Sequence, residues 1–219
     1  MRTLIFDLDG TLVDSVGDLQ AAVNRVLADE SRPPLDRDTV IGFVGRGVEM
    51  LMRRMLAHIG WPVPEPEFQR LLSGFHRHYN ADPSSTTTLY PGAADLMASA
   101  HARGLPMGLC TNKPEAPARV ICEALDFAQY LGVIVGGDTL KVRKPDPAPL
   151  LAAVEKLGGT PTQALYVGDS EVDYLTARAA GVPFVFFEGG YQPDPIPDFQ
   201  PDHVVSTLSE VIAILDTGA

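Results

Sequence analysis

The sequence predicts a doubly wound α/β protein with a small helical insertion after its first strand, and three observations predict it. Short apolar runs of strand length recur at residues 3–7, 106–111, 131–136, 164–168 and 182–187; such runs suit strands buried on both faces of a parallel sheet. Helical patterns lie between most of them, at 93–102, 115–125, 147–157 and 172–180. Strand and helix in alternation give a sheet covered on both sides, a Rossmann-like core. From residue 15 to residue 88 that alternation stops and helical spacing alone remains.

Each element has its own signal. The first run ends in an acidic, glycine-containing segment, where a strand has to stop. Val16, Leu19, Ala22, Val23, Val26 and Leu27 then line one helix face, with Ser15 and Asp18 spaced as a capping box at its start. Val48, Leu51, Met52, Met55, Leu56 and Ile59 form a second face, and Phe68, Leu71, Leu72, Phe75 and Tyr79 a third. The methionines read as core filling. The polar run 82–88 and the Tyr90-Pro91-Gly92 turn lead back to the core, so residues 1–14 and 89–219 are expected to form the α/β core and 15–88 the helical insert. Gly181 ends the helix over 172–180. Beyond it, 191–201 reads as a loop, 203–206 as an edge strand and 208–215 as a last helix.

The chain has 219 residues and a net charge of −11, which argues against nucleic acid or anionic lipid as partner. The charge is unevenly spread. The insert carries eight arginines, no lysine and nine carboxylates, whereas the rest carries nine basic and 19 acidic residues. Cys110 and Cys122 show no metal-ligand spacing and suit a reducing compartment. The N-terminus has no signal-peptide pattern and no apolar run spans a membrane, so a cytoplasmic protein is expected.

The strand ends carry the chemistry. Asp7-Leu8-Asp9-Gly10-Thr11 follows the first strand, at the edge where ligands bind in open α/β sheets, and Gly10 lets the chain turn so that both carboxylates face one site. Thr111-Asn112-Lys113 follows the second strand, with hydroxyl and amide donors for phosphate oxygens. Lys144-Pro145 precedes a helix, and Asp169-Ser170-Glu171-Val172-Asp173 follows the strand over 164–168. Each piece alone has a plainer reading, as a solvated loop, a helix cap or a surface lysine. All four at strand ends, in this order, point to a single site.

These segments resemble the four motifs of the haloacid dehalogenase-like hydrolases: Asp7 to Ser15, Thr111 to Pro114, Lys144-Pro145 and Gly168 to Asp173. The helical insert occupies that superfamily's cap position. Gly136-Gly137-Asp138-Thr139-Leu140, with Arg143 to Pro147 and Thr111 to Pro114, resembles the phosphoglycolate phosphatase branch. The resemblance implies a magnesium-dependent phosphomonoester hydrolase acting on 2-phosphoglycolate or a similar small phosphorylated metabolite. Asp7 would be the nucleophile, forming an aspartyl-phosphate. Asp9 would protonate the leaving alcohol and then deprotonate water, for which it must first carry a proton. Magnesium would be held by the Asp7 side chain, the Asp9 main-chain carbonyl and Asp169. Lys144 would neutralise the phosphoryl group, with hydrogen bonds from Thr111 and the Asn112 amide. Asp173 would orient Lys144 or metal-bound water. Lys113 and Lys141 compete with Lys144, which is preferred because the Lys-Pro pair is the third motif. Glu171 receives no catalytic role.

Specificity is expected from the cap. Its lack of lysine excludes the Schiff-base chemistry of phosphonoacetaldehyde hydrolases, and haloacid dehalogenases need neither the Asp9-type acid nor a metal. A β-phosphoglucomutase-like reaction uses the same paired aspartates and stays open, as does a phosphoryl- or metal-binding module without turnover. In the glycine-rich segment 42–47, Arg46 can meet a substrate carboxylate or simply be solvated. His76 and His78 fall on different helix faces and read as structural or surface residues.

Overall fold

The computed structural model describes residues 3–192 and 195–216. Strand β1 (Thr3–Phe6) is followed by the two-residue β2 (Val13–Asp14) and then by helices α1 (Val16–Asp29), α2 (Arg37–Ile41), α3 (Val48–His58) and α4 (Glu65–Ala81). The chain returns through β3 (Thr88–Leu89) and continues as α5 (Ala93–Ala102), β4 (Met107–Cys110), α6 (Glu115–Ala124), β5 (Val133–Val135), α7 (Ala148–Lys156), β6 (Ala164–Gly168), α8 (Glu171–Ala180), β7 (Phe184–Phe187), β8 (His203–Val205) and α9 (Glu210–Asp216).

The main sheet runs β5-β4-β1-β6-β7-β8, every neighbouring pair parallel. Its two faces are read from alternate residues. Leu4 and Phe6 of β1, Leu109 of β4 and Val167 of β6 pack with α5, α6 and α9. Ile5, Cys110 and Tyr166 point the other way, onto Leu150 of α7 and Ala177 of α8. Burial on both faces explains why these strands read as continuous apolar runs. Each fully buried Leu, Ile or Phe contributes about 1.5–3 kcal/mol. β1 is central, with the chain running to β4 and β5 on one side and to β6 and β7 on the other. The carboxyl ends of β1, β4 and β6 therefore converge where the strand order reverses, the position at which a ligand crevice forms in such sheets.

Helices α1 to α4 bury a separate apolar cluster that includes Val23, Met52, Met55, Phe68 and Phe75. The three apolar faces read from the sequence all pack inward, and Met52 and Met55 fill core, whereas Met50, also expected there, falls on the outer face of α3 and is exposed. α2 had no periodic signal because it is only five residues long; Asp36 starts it by accepting from the Thr39 amide at 2.8 Å. β2 and β3 pair antiparallel at the two chain crossings between the helices and the sheet, a strand pair too short to leave an alternating pattern.

The capping box expected at Ser15 and Asp18 does not form. Ser15 Oγ instead donates to Asp9. Asp18 accepts from the Thr86 amide at 3.0 Å and from the Thr86 and Thr87 hydroxyls, which ties the returning segment to α1. The start of α1 is satisfied from far away, by the hydroxyl of Tyr191, which accepts from the Ser15 and Val16 amides at 2.8 and 3.0 Å. A true capping box forms at Ser170 and Asp173, opening α8. Gly181 ends α8 in the left-handed region, as the sequence predicts. The loop expected over 191–201 includes Pro193 and Asp194, which lie outside the described residues. Among the described residues no helix is long and apolar enough to cross a membrane.

Candidate active site

Asp7 is the first residue after β1, Thr111 the first after β4 and Asp169 the first after β6. All three are buried. The Asp7 carboxylate accepts from the Leu8 amide at 2.7 Å and lies 3.0 Å from Lys144 Nζ. Lys144 also meets Asp173 at 2.6 Å and the Tyr166 hydroxyl at 2.9 Å. Both Asp173 oxygens are occupied, one by Lys144 and Tyr166, the other by the Ser170 amide and hydroxyl. Asp173 therefore fixes the lysine that faces Asp7.

Asp169 is held by the Thr11 hydroxyl at 2.7 Å and by the Tyr191 amide at 2.8 Å. Carboxylate oxygens of Asp7, Asp169 and Asp173 all lie within 4.8 Å of one another. Gly10 permits this closeness in two ways. Its φ of +87° suits glycine, and a Cβ there would lie 2.3 Å from an Asp169 oxygen.

The electrostatics follow from the crowding. Burial and the nearby Asp173 carboxylate push the Asp7 pKa up to about 7 against the opposing pull of Lys144. Burial, Asp173 and Asp7 likewise raise Asp169 well above the ordinary carboxylate range. Burial would lower Lys144, but Asp173 and Asp7 outweigh it and hold its ammonium charged. Three buried carboxylates thus share one lysine, a deficit of positive charge that a divalent cation fits. The donors are hard oxygens, the ligand type magnesium prefers. Asp173 is already spent on Lys144, so Asp7 and Asp169 are the side chains left to hold the ion.

Asp9 turns away from that cluster. Lys113 Nζ donates to its two oxygens at 3.0 and 3.3 Å, and Ser15 Oγ donates to the nearer one. Burial would lower Lys113, but Asp9 and Tyr79 outweigh it and raise its pKa above the ordinary lysine value. Each catalytic candidate aspartate therefore has its own buried lysine.

A haloacid dehalogenase-like hydrolase family model matches residues 4–187. The chain belongs to the haloacid dehalogenase-like hydrolases. It is 45% identical over 203 residues to a phosphoglycolate phosphatase of Cereibacter sphaeroides (strain ATCC 17025 / ATH 2.4.3), covering 93% of this chain and 92% of that protein. It is 38% identical over 233 residues to the phosphoglycolate phosphatase of Escherichia coli (strain K12), covering 98% and 92%. The fold matches the crystal structure of a predicted phosphoglycolate phosphatase from Haemophilus somnus 129pt with a TM-score of 0.91, at 30% identity and 98% coverage of both chains.

In this haloacid dehalogenase-like hydrolase, two clefts open on Asp7 and Asp9. One is lined by Leu19, Val48, Leu51, Tyr79, Thr111 and Lys113, the other by Arg46, Arg54, Asp169, Glu171 and Tyr191. Arg46, the sequence's candidate for a substrate carboxylate, faces Glu171 at 3.2 Å in a largely exposed pair. Asn112 spends both side-chain N–H bonds on the carbonyls of Gly45 and Lys144, each at 3.0 Å, which leaves only its main-chain amide as a donor to a ligand. Lys141 is exposed and lines neither cleft. His78 meets Asp29 on the surface at 2.7 Å, and His76 lines the first cleft.

Sequence reasoning missed Tyr166 and Tyr191. Tyr166 sits in a strand and reads as one more core aromatic. Tyr191 lies in a glycine-rich loop with no local pattern, and only the fold, which brings it to Ser15 across 176 positions, shows what it holds. Lys113 carried a signal, its place beside Thr111 and Asn112, but not the partner.

Proposed function

We propose that this chain is a magnesium-dependent phosphomonoester hydrolase that works through an aspartyl-phosphate and acts on 2-phosphoglycolate or a similar small phosphorylated metabolite in the cytoplasm. The observation that carries the reading is the placement of Asp7 3.0 Å from Lys144 with Asp169 beside it, at the converging ends of β1, β4 and β6. The choice of substrate is supported by the phosphoglycolate phosphatases that this chain resembles over nine-tenths of its length.

Asp7 attacks phosphorus, and the bond from phosphorus to the leaving oxygen breaks. Asp9 gives that oxygen its proton, releasing the alcohol. Asp9 then takes a proton from water, whose oxygen attacks phosphorus; the bond to Asp7 breaks, and inorganic phosphate leaves. The Leu8 amide and Lys144 fix the Asp7 carboxylate so that its orientation is set before substrate arrives. Lys144, the Thr111 hydroxyl and the Asn112 main-chain amide meet the charge that develops on the phosphoryl oxygens. Asp7, Asp169 and the Asp9 carbonyl would hold magnesium, which supplies further positive charge to that group. Helices α1 to α4, within residues 15–88, act as a cap that closes over the crevice and excludes water.

The test is a panel of 2-phosphoglycolate, sugar phosphates, nucleotides and pyrophosphate, with magnesium and with chelator. Hydrolysis that needs the metal, prefers 2-phosphoglycolate and disappears in Asp7→Asn is the expected result. Interconversion of sugar phosphates with a bisphosphate activator, or no turnover of any ester, overturns the reading.

A further inference from the structure

The second buried lysine is not needed to neutralise phosphate, because Lys144 already stands beside Asp7. Lys113 lies on the opposite flank of Asp9, and only 3% of its side chain is exposed. Its ammonium sits 3.0 Å from Asp9 and 4.9 Å from the centre of the Tyr79 ring on α4. A buried ammonium is costly without an anionic or aromatic partner, so its position is a constraint the fold accepts.

That position faces the leaving group. An oxygen that receives its proton from Asp9 lies within hydrogen-bond reach of the Asp9 carboxylate, and the cleft that Lys113 lines is one of the two that open there to take what it carries. Leu19, Val48 and Leu51 form an apolar part of the wall, with Tyr79, His76 and Asn80 beside them. Among the described residues lining this cleft, Lys113 is the sole lysine or arginine. Arg46 and Arg54 belong to the other cleft, and Arg46 is turned to Glu171.

We propose that Lys113 determines specificity by pairing with a second anionic group on the leaving alcohol. The substrate class is then a short phosphate monoester whose alcohol bears a carboxylate. The chain between the two groups must be short, because Lys113 and Asp9 are in direct contact and one or two carbons already bridge them. This inference rests on the hydrolase reading above and names the residue that selects within it. An ammonium has three N–H bonds, so Lys113 can take up the substrate carboxylate while keeping a bond to Asp9.

The experiment compares three esters of nearly equal size, 2-phosphoglycolate, 2-hydroxyethyl phosphate and phosphoethanolamine, whose leaving groups are anionic, neutral and cationic. In Lys113→Gln the kcat/KM ratio of 2-phosphoglycolate to 2-hydroxyethyl phosphate should fall by about tenfold or more, phosphoethanolamine should gain relative to both, and Lys113→Arg should keep most of the original preference. An unchanged ratio, with all three esters losing the same factor, overturns the proposal and leaves Lys113 acting through Asp9 alone. Calorimetry on the unaltered protein gives a second reading that needs neither turnover nor a folded variant: glycolate should bind and ethylene glycol should not. Equal binding of the two overturns the proposal. Failure of the hydrolase reading appears separately, as no ester being cleaved by the unaltered protein.

Discussion

The main-chain amide of Tyr191 donates to the Asp169 carboxylate at 2.8 Å. The same residue's hydroxyl accepts from the Ser15 and Val16 amides and donates to Asp14 at 2.8 Å. One residue thus joins the acidic cluster to the first helix of the insert. Tyr191→Phe keeps the amide contact but removes the acceptor of the Ser15 amide and the nearer acceptor of the Val16 amide, while Asp14 keeps Arg37 at 2.6 Å. A loss of about 1–2 kcal/mol is expected, the size of a helix cap. Urea unfolding measures it, and because Asp169 keeps its amide partner, kcat should change less than threefold.

Lys144 is the cation shared by Asp7 and Asp173. Lys144→Met leaves two buried carboxylates facing one another, which costs about 3–5 kcal/mol when a buried pair loses one partner. Turnover should be abolished and the unfolding midpoint should drop sharply. The exposed Lys141 is the control: Lys141→Ala should keep most of the activity and stability. The reverse pattern would exchange the two assignments.

The metal-free protein should lose stability as pH rises across the range in which Asp7 ionises. Its folded pKa is pushed from 3.8 up to about 7 by burial and Asp173, so the folded state holds a proton that the unfolded state has released. Asp7 therefore favours folding most at the acid end, below about 4, and its contribution is lost progressively as pH rises to about 7. Asp169 acts in the same direction. A bound cation favours the ionised carboxylates, so magnesium should raise the melting temperature more at pH 8 than at pH 5. Melting curves with magnesium or chelator at both values test this, and Asp7→Asn should flatten the pH dependence.

Gly10→Ala places a methyl where Asp169 stands and forces an L-residue to φ +87°. The backbone alone costs about 1–2 kcal/mol, and Asp169 must shift to make room. Weaker magnesium binding, read by titration calorimetry, is the expected consequence. Binding at full strength would mean that Gly10 serves the turn only.

Much of the site was legible because its parts are local. Asp7, Thr111 and Asp169 each close an apolar run, and a strand that must end at a charged or polar residue announces its own boundary. Lys144 was legible from its proline. Ser15 and Asp18 misled for the opposite reason. Their spacing fits a capping box, but spacing cannot register competing partners, and folding supplied Asp9 as acceptor for Ser15 and the Thr86–Thr87 segment as donors for Asp18.

The sequence by itself determined the doubly wound core, the helical interruption after the first strand and the residues at the strand ends, because periodicity and chain punctuation are properties of neighbours along the chain. Tertiary structure decided the pairing: Lys144 with Asp7 and Asp173, Lys113 with Asp9, Tyr191 with Asp169 and the start of α1. Tyr191 and Ser15 are 176 positions apart, and a buried charge or an open helix end takes the partner that packing brings within reach. Composition names the candidates, and only the closed fold, where water no longer competes, decides which of them meet.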